Sequence, residues 1–113
     1  MKPIEKELDR LIQQSCQKQS CIICGKKAEA MHHIIGRANM VTRYNPDNLM
    51  PVCLDCHRKI HDGKINQWDY IDGYKGSILR ELSHKSYKDF LIFVVKQTED
   101  EYLRDLKKNY QQD

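Results

Sequence analysis

The chain of 113 residues has no long hydrophobic run; the longest is FLIFVV, Phe90 to Val95. A helix needs about 20 apolar residues to cross a bilayer, so no membrane span and no membrane partner is expected. The opening MKPIEKELDRLIQQ lacks the apolar stretch of a secretory signal, which points to a cytoplasmic protein. Internal repeats and low-complexity tracts are absent too, so residues 1–113 read as a single domain with a modest core. The net charge is only +3. Cysteine is the exception to this plainness, with five residues. Without a secretory signal they argue against a disulfide framework. Two of their spacings, Cys21-x2-Cys24 and Cys53-x2-Cys56, are those of metal ligands in a reducing compartment. Cys16 is left over, and reads as a plain thiol on a helix.

Composition changes along the chain. Residues 3–19 place Ile4, Leu8, Leu11, Ile12 and Cys16 at helical spacing behind an early proline, which predicts an N-terminal helix. Residues 21–63 turn to short strands and turns. AEAMHHII and NLMPVC read as strands, GRANMVTRYNPDN as the loop between them, and DCHRKIHDG as a helix stopped by Gly63. Residues 64–113 read as a mainly helical extension, with N-cap signals at Ser86 and Thr98. FLIFVV suits a buried strand by its β-branched content, and the cap before it tips the reading to helix. The positive charge is uneven. Residues 21–64 carry seven Lys/Arg against four Asp/Glu, which suits a polyanionic partner, although solvated surface charge is the plainer alternative.

Four thiolates suit tetrahedral zinc with no open position, a structural site that supplies folding free energy to a small domain. The histidines need something else. If Cys56 opens the last helix of the 21–63 segment, His57 and His61 lie within about 40° of one another, and their mean direction is roughly 120° from Cys56. One helix then shows its thiolate to one metal and its imidazoles to a second. On a strand, adjacent His32 and His33 point to opposite faces, so one can bind metal while the other handles a proton.

The order His32-His33, Asn48, His57, His61, bracketed by four cysteines, resembles the HNH endonucleases with the ββα-metal fold. The intervals of fifteen, nine and four residues from His33 through Asn48 and His57 to His61 are similar to those of DNase colicin nuclease domains. The cysteine set resembles instead the zinc-stapled HNH proteins of phages and restriction systems, and the helical tail suggests phage recombination nucleases. The likeness covers residues 21–63, about two fifths of the chain. It implies an α+β fold: a small, treble-clef-like ββα-metal core with a structural four-cysteine zinc site, flanked by N- and C-terminal helices. It implies His33 as general base and His32, His57 and His61 as ligands of a catalytic metal, with Asn48 tying down the loop. The metal would be Mg2+ or Mn2+, or Ni2+ or Zn2+, since His32 stands where other members have Asp and shifts the site toward nitrogen.

The implied activity is hydrolysis of DNA phosphodiester bonds to 5′-phosphate and 3′-hydroxyl ends, with RNA left open as a substrate. A neutral base predicts loss of activity below the ordinary histidine pKa of about 6.5. Arg37 and Arg43, in the loop over the site, are candidates to grip substrate phosphates. Lys26, Lys27, Arg58 and Lys59 would add salt-sensitive attraction. The rival reading is a non-catalytic four-cysteine finger that binds DNA, which leaves all these histidines without a task. Substrate structure, sequence preference, biological setting and oligomeric state are not written in the sequence.

Overall fold

A computed structural model describes residues 1–111. Helix α1, Pro3–Ser15, starts on a proline, whose fixed φ and missing N–H suit a first turn. Leu8 and Ile12, four residues apart, form its buried face. The helical spacing runs to Gln19, but the α-helix stops at Ser15 and tightens into a 3-10 turn, Cys16–Lys18. There Ser15 Oγ donates to Ile12 O at 2.6 Å and Cys16 Sγ to Gln13 O at 3.0 Å. Side chains thus compete for the carbonyls that a further α-turn would use.

Strands β1 (Ala30–His33) and β2 (Leu49–Val52) form a two-stranded antiparallel sheet, with His32 opposite Met50 and His33 opposite Leu49. The strand expected over 28–35 is shorter because Asn48 intervenes: its Oδ1 takes the Ile35 N–H at 2.7 Å, in place of a ladder partner. Pro51 can sit in β2 because a two-stranded sheet is all edge and no second ladder needs its missing N–H. Helix α2, Leu54–His61, is capped by Cys53, whose sulfur accepts from Cys56 N at 3.4 Å. It ends at Gly63, whose φ of +75° lets Lys64 N reach back to Lys59 O at 2.9 Å.

Beyond the sheet come a 3-10 turn, Gln67–Tyr70, then α3, Gly73–Ser83, and the short α4, Tyr87–Asp89, capped by Ser86. Residues Phe90–Val95 are helical rather than extended, but wound as a π-helix that buries Phe90 and leaves Phe93 70% exposed. Helix α5, Glu99–Gln111, opens with a reciprocal cap between Thr98 and Glu101.

Two apolar clusters result. In one, Leu8 and Ile12 of α1 meet Tyr102 and Leu103 of α5, together with Val41, Tyr44 and Phe90. Complete burial of Leu8 and Leu103 is worth about 2 kcal/mol each. The other gathers Cys21, Ile34, Met50, Val52, Cys53 and Cys56 under the sheet. The architecture is α+β. Among the described residues no helix is long and apolar enough to cross a membrane.

Candidate metal centres and active site

Two turns bring the cysteines together. The first, around Cys21–Cys24, closes at Gly25, whose φ of +80° favours glycine and whose N–H reaches Cys21 O at 2.9 Å. The second is the start of α2. The four sulfurs lie within 4.8 Å of one another, and those of Cys24 and Cys53 are 3.7 Å apart. Zinc bound tetrahedrally with Zn–S near 2.3 Å spaces its sulfurs by roughly 3.8 Å, so the set can hold one structural zinc. Burial opposes ionisation of Cys21, but backbone N–H groups of the turn outweigh it and hold the thiol down at about 6. Burial and the three neighbouring sulfurs push Cys56 up to about 12. Thiolates this close repel, and a bound dication is what allows all four to ionise.

His32, His57 and His61 form a second group, again with one ligand atom each inside 4.8 Å. The Nε2 atoms of His57 and His61 are 3.1 Å apart. The ring centres of His32 lie 5.1 Å from His57 and 5.6 Å from His61. Burial lowers the pKa of His32, against the hydrogen bond to Gln67 and with help from His61, and burial lowers that of His57, aided by His32 and His61, which favours the neutral, ligating form. The two groups share no residue, although Cys56 and His57 are neighbours.

His33 belongs to neither group. It lines the same cavity of about 560 Å3 as His32, His57 and His61, walled on the other side by Asp9, Ile12 and Gln13 of α1. Its Nε2 is buried and has no hydrogen-bond partner among the described residues. Burial, then the charges of Arg37 and Arg43, push its pKa down to about 4 against the opposite pull of Asp9. The imidazole is therefore neutral over the whole physiological range, and His33 does not place an acid limb near 6.5.

Asn48 is fully buried at the foot of β2. Besides accepting from Ile35 N, it donates through Nδ2 to Ile35 O at 3.0 Å and Thr42 O at 3.1 Å, which ties the inter-strand loop to the sheet. Asn48→Ala strands all three backbone groups, and the fold should lose about 3 kcal/mol. Asn48→Asp should fare no better, because a carboxylate cannot donate to the two carbonyls. Urea unfolding midpoints check both, and an unchanged midpoint would show that the loop is held by other contacts.

The basic residues separate. Arg43 is not an open loop cation: it is buried, and its guanidinium donates to Asp9 Oδ2 at 2.8 Å and to Arg37 O at 3.2 Å. A buried guanidinium needs a counter-charge, and α1 supplies it. Arg37 reaches the same carboxylate at 3.1 Å, yet its side chain is 58% exposed at the rim of the cavity. Arg58 is exposed, and Lys59 is exposed but paired with Asp55 at 3.2 Å. Lys26, Lys27 and Lys59 line a different hollow, beside Cys24 and Cys53. Two residues of the site escape sequence reading. Asp9 follows a buried leucine on a helix, as many surface acids do. Gln67 places its Oε1 2.6 Å from His32 Nε2 from outside the 21–63 segment, where only the chain's single tryptophan next to it hints at an anchored turn.

Residues 9–104 match the profile of a family described as Protein of unknown function (DUF968). The chain belongs to this family. The matched span runs from Asp9 on α1 into α5 and contains every cysteine and histidine described above. A stretch of 52 residues is 42% identical to part of a protein named mitochondrial DNA mismatch repair protein mutS homolog, from Sarcophyton glaucum. The alignment takes in 42% of this chain and 5% of that protein, so the chain spans a small fraction of the relative's length. No solved structure matches.

Proposed function

We propose that the chain is a metal-dependent endonuclease of the HNH type that hydrolyses phosphodiester bonds of DNA. One observation carries the reading: His33, whose buried Nε2 has no hydrogen-bond partner among the described residues, lines one cavity with three convergent histidines. Structural cysteines need no such cavity, and ordinary buried histidines are hydrogen-bonded. The similarity to part of a protein named for DNA mismatch repair favours DNA over RNA.

In this reading His32, His57 and His61 hold one divalent ion, which would supply charge stabilisation to the phosphate and to the departing 3′-oxygen. Their nitrogen donors favour Mn2+, Ni2+ or Zn2+ over Mg2+. His33 Nε2 takes a proton from water, the water oxygen bonds to phosphorus, and the P–O3′ bond breaks; the 3′-oxygen takes up a proton from solvent, leaving 5′-phosphate and 3′-hydroxyl ends. Asn48 keeps the loop that carries Arg37 in place, and Arg37 can exchange Asp9 for a substrate phosphate. Lys26, Lys27, Arg58 and Lys59 add diffuse attraction to the polyanion.

Nicking of supercoiled plasmid, run in parallel with Mg2+, Mn2+, Ni2+ and Zn2+, tests this directly. Nicks with ligatable ends should form with at least one ion and stop when that ion is withheld. A protein that shifts DNA in a gel yet nicks with none of the four would be a zinc-stapled binding module instead.

A further inference from the structure

Gln67 lies in the turn that follows the cysteine–histidine segment, and its amide is held at both ends. Its Nε2 lies 3.1 Å from Ile34 O, and its Oε1 lies 2.6 Å from His32 Nε2. A carbonyl oxygen only accepts, so the end facing Ile34 must be the NH2, which leaves the oxygen for His32. An oxygen in turn requires His32 Nε2 to carry the proton. In a neutral imidazole the single lone pair then resides on Nδ1.

We propose that Gln67 is a positioning residue: by fixing His32 as the Nε2–H tautomer, it selects Nδ1 as the atom that ligates the metal. The proposal rests on the reading that His32, His57 and His61 hold an ion. The turn is built to keep Gln67 still. Asn66 caps it by accepting from Trp68 N at 3.1 Å, Trp68 packs against the cluster beneath the sheet, and Arg80 stacks on the indole at 4.0 Å. A hydrogen bond to the second nitrogen of a ligating imidazole both orients the ring and makes it a better donor, and its loss commonly weakens metal binding by about 10–100-fold. The extension beyond Gly63 would thus shape the metal site itself and not merely cover the core.

The test uses the full chain with zinc in the cysteine set and 15N-labelled histidine. In the wild type without a second metal, long-range 1H–15N spectra should show His32 protonated at Nε2, and after Cd2+ or Zn2+ is added the shift should move at Nδ1. Gln67→Met, similar in size but without a strong acceptor, should give mixed tautomers and an affinity for Ni2+ about 10–100-fold weaker by calorimetry. Gln67→Glu gives up the donor to Ile34 O but keeps the acceptor facing His32, so it should keep the Nε2–H tautomer and lose no more than a few-fold in affinity. Gln67→Met with an unchanged tautomer and unchanged Ni2+ affinity overturns the proposal while leaving the metal site intact. So does a wild-type spectrum in which Nε2 ligates the ion, a readout that needs no variant to fold. A wild type that takes up no ion at the histidines overturns the underlying metal reading, and the role of Gln67 falls with it.

Discussion

Cys56→Ala is expected to empty the zinc site and unfold the protein, whereas His57→Ala, one residue on, should leave zinc and fold in place. Successive side chains on a helix diverge by about 100°, so neighbours rarely converge on one ion. Here Cys56 is buried among the three other sulfurs, and His57 joins His32 and His61. Structural zinc supplies about 10–16 kcal/mol of apparent binding free energy in small zinc domains, as much as the whole stability of many folds. Loss of one thiolate therefore threatens the fold outright. His57→Ala should instead lose uptake of the second divalent ion and, with it, cleavage. Metal content by mass spectrometry and a melting curve for each variant decide the matter. If His57→Ala strips the zinc and melts the domain as Cys56→Ala does, there is one mixed site and the nuclease proposal loses its support.

His33→Ala should lower cleavage by about a thousandfold, a typical loss for removal of a general base. Binding of Ni2+ and of DNA should change no more than a few-fold, because the side chain belongs to neither the sulfur set nor the histidine trio. The substitution removes a partnerless nitrogen along with a half-buried ring, so the melting temperature should fall only slightly. Calorimetry and single-turnover cleavage separate the two effects. If His33→Ala loses metal affinity while His32→Ala keeps it, the adjacent histidines have exchanged roles.

The parts of the site that can be read in the sequence are those whose geometry is local. Within each Cys-x2-Cys turn, and within His-x3-His on one helix turn, the side chains converge by backbone geometry alone, so their spacing carries the information. The parts that cannot be read depend on segments far apart meeting side chain to side chain. Asp9 and Arg43 are 34 positions apart and His32 and Gln67 are 35, and no local pattern marks either pair. Arg43 reads as a loop cation because a lone arginine in a polar loop usually is one, and only the docking of α1 buries it. The β-branched content of Phe90–Val95 gives conflicting signals for a similar reason. A six-residue run is too short for periodicity to choose, and the choice falls to the Ser86 cap before it and to the core contacts of Phe90.

The pairing of α1 with α5 has a consequence for the timing of assembly on the ribosome. Leu8 and Leu103 are 95 positions apart, so at about 5–20 residues per second the first helix waits roughly 5–20 s for its partner. The four cysteines span only residues 21 to 56, and that loop can capture zinc well before α5 exists. A nascent chain would then carry a closed sulfur knot, with Asp9 and Gln13 of α1 already able to reach Arg43 and Glu29, while α1 still lacks its α5 partner. The α1–α5 contact forms only when translation has passed Leu103, so zinc capture and completion of the core are separated by a delay that the chain order itself imposes.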